Sequence, residues 1–305
     1  MGAFAPPPKG WCDAANPSRI PGCRMTKDLQ IRLAETFRAR HRRKPLLLLP
    51  NAWDPISARI IEAAGFDAVA TTSGGLAWAL GYRDGEETPW QEVVAATARI
   101  ARTVRVPVTA DIETGYGEGP ADVARSVRDI IGAGAVGINL EDGTHDAAQP
   151  MRDIDDMVAR IRAARAAALA EGVPIVINAR IDLYLKRIGS EDTRLAETIR
   201  RGKAYLAAGA DCLFPFGLVD LPVAAELVRA LDAPINLVGR PGMPPIAEIE
   251  AAGIARVSVA SGLTLAAMGS MSRMVDELRT SGRFDALATT MKRDDAQRLF
   301  APRPE

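Results

Sequence analysis

The feature that most constrains the fold is a boundary that occurs four times along the chain. Each copy combines an Ala-rich helix end, a glycine and a short apolar strand. The copies are EAAGFDAVATTS at 62–73, IGAGAVGINLED at 131–142, LAAGADCLFPF at 206–216 and EAAGIARVSVAS at 250–261. A glycine suits the left-handed residue that ends a helix, and a short apolar run suits a strand covered on both faces. The repeat therefore predicts four joints between a helix and a buried strand.

Four further apolar strands, each beside a proline, lie between these joints. They are PLLLLP at 45–50, VPVTAD at 106–111, VPIVINAR at 173–180 and APINLVG at 233–239. Helical patterns separate the strands at about 54–64, 89–104, 120–132, 151–171, 192–208, 220–231, 244–252 and 262–277. Eight strands alternating with eight helices predict an α/β fold, a single (β/α)8 TIM barrel, rather than a doubly wound sheet.

Composition narrows the class of partner. Hydrophobic residues make up 48% of the 305 residues and charged residues 25%, which is typical of a globular protein with a large core. Lys plus Arg and Asp plus Glu both total 38, so no charge excess exists to attract nucleic acid or an anionic membrane. No apolar run approaches the roughly 20 residues that span a bilayer. We expect a small-molecule partner.

The N-terminal residues and the cysteines bear on location and on the domain boundary. Residues 1–25 are Pro-rich and are expected to form a disordered lead-in, with Met25 as a candidate start and residues 26–305 as one barrel domain with a C-terminal helical tail. Cys12, Cys23 and Cys212 cannot all pair and have no metal-ligand spacing. This pattern favours a reducing, cytoplasmic setting.

Carboxylates gather where the predicted strands end, which is where the active site of such a barrel lies. Asp111 and Glu113 are two residues apart and would point to the same side of an extended chain, and Glu141 arrives from the next strand. Their charges would repel unless they were protonated, neutralised by a cation, used to cap helices or paired with Arg180. All-oxygen ligands favour Mg²⁺, or Mn²⁺, over zinc, since only His145 lies on an active-face loop.

Other strand ends offer groups for a substrate anion. Ser73, Gly74 and Gly75 follow the second strand and offer a hydroxyl and backbone N–H groups, although a tight turn would use the same residues. Arg180, beside Asn178, can bind an acid group through two hydrogen bonds. Asn236 at the seventh strand is a further candidate. The glycines at 115, 117 and 119 lack the Lys and Ser/Thr of a P-loop.

Several ordered motifs together resemble a known family. LPNAWDPISARIIEAAGFDAVATTSGGLAWALGYRDGE, VTADIETGYG, GINLEDG and NARIDLYL are similar to motifs of the isocitrate lyase/phosphoenolpyruvate mutase superfamily, from about Leu46 to Met271. The resemblance implies a barrel whose eighth helix is exchanged between subunits, in a dimer or a homotetramer built as a dimer of dimers. It also implies Mg²⁺-dependent making or breaking of C–C or P–C bonds through an enolate or enolpyruvate-like intermediate.

The resemblance also implies roles for individual residues. Asp111 matches the direct metal ligand, and the carboxylates that hold the metal's water molecules match Asp84, Glu113 and Glu141. The groups that grip the acid end of the substrate match Ser73, Gly74 and Arg180. Glu113 stands where the family more often has Asp, and ARID replaces the more usual ARTD. Both changes leave metal binding plausible and alter its geometry.

The largest departure from the family is the loop after the fourth strand, EDGTHDAAQPMRD. Isocitrate and methylisocitrate lyases carry a Lys-Lys/Arg-Cys-Gly-His motif in this loop, and this chain has no cysteine there. His145 is the residue of the loop that can take over proton transfer, for a smaller 2-oxo acid, and the alternative is that its side chain lies in solvent. We therefore predict Arg180, Glu141 and His145 as catalytic residues.

Three functions compete at this point. The first is a Mg²⁺-dependent lyase that cleaves or decarboxylates a small anionic 2-oxo or 2-hydroxy acid with two or three carboxylates. A phosphonate-directed mutase or hydrolase of the same superfamily is the second, and a catalytically silent metabolite-binding barrel is the third. A Schiff-base aldolase would need a lysine inside the barrel, and Lys186 lies six residues beyond Arg180.

Overall fold

The structure is a computed structural model that describes residues 25–42, 44–288 and 291–301. Parallel strands form its centre. They are β1 (Leu47–Leu49), β2 (Asn51–Ala52), β3 (Val69–Thr71), β4 (Val108–Asp111), β5 (Gly137–Glu141), β6 (Val176–Ile181), β7 (Cys212–Pro215), β8 (Asn236–Val238) and β9 (Arg256–Ser258). Residues 1–24 of the lead-in predicted at 1–25 lie outside the described residues.

The strands follow one another around a barrel. One ladder has the order β2-β3-β4-β5-β6-β7 and the other β1-β9-β8. Pro50, which has no N–H to donate, separates β1 from β2, so these two segments together form the first predicted strand. A parallel bridge between Leu213 and Ile235 connects the two ladders on the other side. The predicted (β/α)8 barrel is confirmed, with its hydrogen-bond ladder interrupted at these two places.

Helices surround the strands. They are α1 (Lys27–Arg40), α2 (Pro55–Ala63), α3 (Ser73–Leu80), α4 (Trp90–Ala101), α5 (Pro120–Gly132), α6 (Ile154–Ala170), α7 (Glu191–Ala208), α8 (Leu221–Leu231), α9 (Ile246–Ala251), α10 (Gly262–Ser281) and α11 (Arg293–Leu299), with a 3-10 turn at Asp285–Leu287. Eight of them, α2 and α4 to α10, match the predicted helices within a few residues. The sequence patterns did not indicate α1 or α3.

The glycines of the four repeated joints behave as predicted. All four have positive φ angles, which range from 88° to 112°, at Gly65, Gly134, Gly209 and Gly253. An L-residue with a side chain rarely adopts this conformation, so glycine is needed where each helix stops and the chain turns into a strand. The strands that follow are buried on both faces, as at Gly137–Glu141.

Helix α1 covers the end of the barrel opposite the site. The Gln30 side-chain amide donates to the carbonyls of Ile131 and Ala135, at 2.8 and 3.0 Å. Near the end of α1 the Phe37 ring is fully buried, and the buried Arg256 guanidinium of β9 lies 6.0 Å from its centre. The apolar core therefore closes at this end, where a smaller cavity of about 180 Å³ lies between the residues after α1 and those before β9. None of the helices in the described residues has the length and apolar character that crossing a bilayer requires.

Candidate active site

A cavity of about 230 Å³ opens at the carboxyl ends of the strands. Most of its lining residues are polar or charged. They come from the ends of β5 and β6, from the start of α3 and the segment after it, and from the loops after β4, β5 and β6: Ser73, Asp84, Gly85, Glu113, Glu141, Thr144, His145, Arg180, Asp182, Leu185 and Lys186. Six of the residues predicted for the site lie on this wall. The loops of a barrel converge here, so residues that are far apart in sequence become neighbours.

Asp111 ends β4 and lies beside the start of α3. Its Oδ2 accepts a hydrogen bond from the backbone N–H of Ser73 at 3.3 Å, and its own N–H donates to the Thr71 hydroxyl at 2.9 Å. The first N–H groups of a helix have no partner within the helix and favour negative charge. The predicted contact between the Ser73 segment and an anion thus has a physical basis in the start of α3, which is a helix and not the tight turn of the alternative interpretation.

Glu113 reaches the cavity by a different path from the one predicted. The strand ends at Asp111, and Glu113 itself has a φ of 50°, so the argument from an extended chain is wrong for this residue. Its Oε2 accepts from the backbone N–H of Glu86 at 2.9 Å, and its Oε1 accepts from the Tyr116 hydroxyl at 3.1 Å. The side chain of Glu113 is therefore held between the segment after α3 and the turn after β4.

The glycine-containing loop after β4 is fixed by hydrogen bonds from an arginine of α6. The fully buried Arg160 guanidinium donates to the carbonyls of Thr114 and Gly117, both at 3.2 Å, and to that of Glu118. Gly115 has a φ of 108°, which explains its glycine. The loop therefore turns tightly beside the cavity, and Arg160 fixes the segment that follows Glu113.

Arg180 is paired with two carboxylates. Its Nη1 lies 2.5 Å from Glu141 Oε2, and its Nε and Nη2 donate to the two oxygens of Asp182 at 2.6 and 2.9 Å. The ring of Phe216 lies 4.0 Å below the guanidinium carbon. The pairing with Arg180 that the sequence left open is thus present at Glu141. Both Glu141 and Arg180 also line the cavity, so their ion pair is compatible with the predicted catalytic roles.

Burial raises the pKa of the clustered carboxyl groups. Desolvation raises the pKa of Glu113 to about 8, and the charges of Asp111 and Asp84 add to the shift. Desolvation also raises the pKa of Asp111 and that of Glu141, although the Arg180 charge opposes both shifts. Buried carboxylates that repel one another in this way fit a divalent cation, which would neutralise them through oxygen ligands.

Metal ligands are not already assembled into a cage. Across residues 25–42, 44–288 and 291–301, no three acidic, imidazole or thiol groups stand together in a set that could hold a metal ion. Mg²⁺ usually keeps several water molecules and binds only one or two carboxylates directly. The predicted arrangement fits this coordination: Asp111 binds the ion directly, and the carboxylates of Asp84, Glu113 and Glu141 bind its water molecules. This arrangement remains a prediction.

Three residues predicted to bind substrate lie away from the cavity wall. Asn178 donates to the Asn139 side-chain oxygen at 2.8 Å, and Asn236 donates to the Ser258 hydroxyl at 3.2 Å, both inside the barrel. A Cβ on Gly75 would lie 2.6 Å from Thr72 Cγ2, so close packing explains this glycine. Gly74 lies nearer the site, since its Cβ would meet Asp84 Oδ2 at 3.1 Å.

Comparison with known proteins identifies the family. The sequence profile of the phosphoenolpyruvate (PEP) phosphomutase family matches residues 37–279. The chain belongs to the PEP mutase/isocitrate lyase superfamily. A Burkholderia cenocepacia J2315 structure, named only as a lyase/mutase, matches with a TM-score of 0.85 and 38% identity over 91% of this chain and 99% of that one.

Two members of the superfamily with named activities are also similar to the chain. The 2,3-dimethylmalate lyase of Eubacterium barkeri is 31% identical over 69% of this chain and 73% of the lyase. Oxaloacetate acetylhydrolase, solved with its product oxalate, matches with a TM-score of 0.77 and 27% identity over 88% of this chain and 93% of that one. The resemblance that the strand-end motifs indicated is confirmed.

The loop after β5 differs from the lyase pattern within this superfamily. A bridge between Gly143 and Met151 closes it, and the Thr144 N–H donates to the Pro150 carbonyl at 3.0 Å. His145 lies on this loop, exposed at the cavity mouth, where its Cε1 would be 3.3 Å from a Cβ on Gly85. The one cysteine in the described part of the chain is Cys212 in β7, where burial raises the pKa of its thiol to about 12. No thiol of the described residues lines the cavity.

Several residues of this superfamily site escaped the sequence analysis. Glu86 has one carboxylate oxygen that accepts from the Thr114 and Tyr116 N–H groups at 2.9 and 3.0 Å, which ties the loops after α3 and β4 together. Asp182 holds Arg180, and Lys186 lines the cavity although it was set aside as too distant. The signal for Asp182 was present in the ARID motif, two residues after the predicted Arg180.

Proposed function

We propose that this chain is a Mg²⁺-dependent lyase that cleaves a C–C bond, or decarboxylates, in a small 2-oxo or 2-hydroxy acid with two or three carboxylates. The reaction would pass through an enolate. The observation that carries the proposal is the cavity at the carboxyl ends of the strands, where Asp84, Glu113 and Glu141 lie on the same wall as Arg180. The charges of Asp111 and Asp84 act on Glu113, and Arg180 pairs with Glu141. The activities named for the similar proteins, a dimethylmalate lyase and an oxaloacetate acetylhydrolase, support this substrate class.

The metal site follows from the acidic cluster. Asp111 would hold Mg²⁺, or Mn²⁺, directly, and Asp84, Glu113 and Glu141 would hold its water molecules. When bound, the cation would stabilise the negative charge that develops on a 2-oxo acid as the bond breaks. Neutralisation of the cluster would also explain why the fold tolerates several buried carboxylates at one place.

The protein's own groups would bind and orient the acid end of the substrate. The backbone N–H groups at the start of α3, around Ser73 and Gly74, face negative charge, as the contact with Asp111 illustrates. Arg180 is held flat by Asp182 and by the Phe216 ring, so little order is lost when it contacts a ligand. His145 at the cavity mouth would donate or accept the proton.

Two alternatives remain distinguishable. A phosphonate-directed mutase or hydrolase is favoured by the family profile itself, which is that of a phosphomutase. A silent metabolite-binding barrel is favoured only by the lack of a thiol in the loop after β5. The full acidic set, with raised pKa values at Asp111, Glu113 and Glu141, argues for a working metal site instead.

The protein would assemble as a homo-oligomer in which α10 packs on a neighbouring subunit. This helix carries a series of exposed apolar side chains at Leu263, Leu265, Met268, Met271 and Val275. Apolar groups at this density favour a protein contact over water. Exchange of this helix between subunits, in a dimer or tetramer, would bury them.

A substrate screen tests the proposed function. The Mg²⁺-loaded protein and the Asp111→Asn variant would be assayed with oxaloacetate, malate derivatives and phosphonopyruvate, with products identified by mass. We expect turnover of a 2-oxo or 2-hydroxy diacid that requires Mg²⁺ and is lost in Asp111→Asn. Turnover of phosphonopyruvate alone would select the second alternative, and binding without turnover of any compound would select the silent barrel.

A further inference from the structure

Lys186 returns to the cavity because the chain turns back after β6. The Lys186 N–H donates to the Asp182 carbonyl at 2.9 Å, and the Ile188 N–H donates to the Leu183 carbonyl at 3.0 Å. The Leu185 N–H donates to the Phe216 carbonyl at 3.0 Å, which anchors the turn on the loop after β7. Lys186 is therefore a neighbour of the Arg180 site, despite its distance along the sequence.

Both the stem and the head of the Lys186 side chain are held in place. A Cβ on Gly143 would lie 2.8 Å from Lys186 Cε and 2.5 Å from Asp182 Oδ2, so the stem passes closely over a position that only glycine leaves open. The ammonium Nζ donates to the Thr144 carbonyl at 2.9 Å. Lys186 thus links the loop after β6 to the loop after β5, at the edge of the cavity.

Lys186 and Arg180 differ in the partners that their charged groups contact. Arg180 is committed to Glu141 and Asp182. Lys186 contacts a neutral carbonyl, and no carboxylate of the described residues lies within ion-pair distance of its Nζ. An ammonium has three N–H donors, so two of them remain for a ligand. Lys186 is the cation of the cavity wall that is ready to receive a further anionic group.

We propose that Lys186 determines substrate specificity by receiving a second carboxylate, the one at the far end from the 2-oxo or 2-hydroxy acid group. This inference rests on the proposed function and narrows it to substrates with two acid groups. A charge-assisted hydrogen bond of this kind contributes about tenfold to a hundredfold in affinity. A lysine that only ties two loops together would affect all ligands of the cavity alike.

Calorimetric titration of the Mg²⁺-loaded full chain separates these roles. The ligands are malate, lactate, which lacks the second carboxylate of malate, and oxalate, which has no distant acid group. We expect Lys186→Met to weaken malate binding tenfold or more and to change lactate and oxalate binding less than twofold. Lys186→Arg should retain most of the malate affinity, and Lys203→Met, at an exposed lysine of α7, should have no effect.

Each other outcome overturns the inference. Equal weakening of all three ligands in Lys186→Met would assign the residue a purely structural role. Unchanged malate affinity in that variant, or an unaltered protein that binds oxalate and not malate, would show that Lys186 receives no carboxylate. Failure of the unaltered protein to bind oxalate with Mg²⁺ would refute the proposed function, and this inference with it.

Discussion

Removal of the metal should make the stability of the fold fall as pH rises, because of Glu113. The pKa of this buried carboxyl is raised from 4.5 to about 8, first by desolvation and then by the charges of Asp111 and Asp84. The folded state therefore holds a proton that the unfolded chain releases above pH 4.5. The penalty for losing it is absent below pH 4.5 and complete above pH 8, so stability declines between these values.

The size of the effect follows from the shift. One pKa unit corresponds to about 1.4 kcal/mol, so the two units between pH 6 and the folded pKa correspond to about 3 kcal/mol. For a domain of this size, about 2 °C in Tm accompanies each kcal/mol. The metal-free protein should therefore lose about 6 °C in Tm between pH 6 and pH 9 through this group.

Thermal unfolding in EDTA at pH 6, 7.5 and 9 measures the decline. Glu113→Gln, which resembles the protonated acid, is the matched control and should decline by about 6 °C less than the unaltered protein. Added Mg²⁺ should raise Tm more at pH 9 than at pH 6, since the cation needs ionised ligands. Parallel declines of the two proteins in EDTA would refute the reasoning, as would an equal Mg²⁺ effect at both pH values.

Three further predictions address the metal, the loop and the assembly. Asp111→Ala should weaken Mg²⁺ or Mn²⁺ binding more than tenfold by calorimetry, and an unchanged affinity would contradict its assignment as the direct ligand. Isocitrate and methylisocitrate should not be cleaved at an enzymatic rate, with or without His145→Ala, because general acid–base groups contribute 10²–10⁴-fold and the loop lacks the thiol. Robust release of glyoxylate or pyruvate in a coupled assay would show that the thiol was the wrong criterion. The double change Leu265→Glu and Met268→Glu on α10 should convert the oligomer to a monomer by light scattering, while Leu169→Glu, at another exposed leucine, should not. A monomeric unaltered protein at micromolar concentration would exclude the assembly.

The alternation of strands and helices was predictable because its signals are local. A glycine such as Gly134 must take a positive φ where a helix stops, and the apolar run after it must be covered on both faces. These requirements produce a recognisable pattern within about a dozen residues of sequence. Helix α3 produced none, because Ser73-Gly74-Gly75 has low helix propensity, and the segments that pack against it, at Ser261 and Thr264, are distant in sequence.

The site was predictable only in part, because some of its contacts join distant segments. Strand-end carboxylates such as Glu141 follow from the barrel topology. The position of Lys186 did not, since the sequence shows only that it lies six residues beyond Arg180. The turn that returns it to the cavity depends on a hydrogen bond from the Leu185 N–H to the Phe216 carbonyl. The orientation of Asn178 and Asn236 did not follow either, because an asparagine near a strand end can equally face its barrel neighbours, as these two do.

The position of α10 links the cavity to the outside of the barrel. Ser261, just before this helix, has its hydroxyl 3.2 Å from that of Thr72, the residue that precedes α3. Twenty residues of helix extend for about 30 Å from that point, past the exposed Leu265 and Met271. Helix α10 therefore joins, as one continuous element, the exposed apolar residues proposed for the subunit contact to the Thr72–Ser73 segment beside the site. Dilution that removes such a contact would lower specific activity, so protein concentration itself would act as an effector.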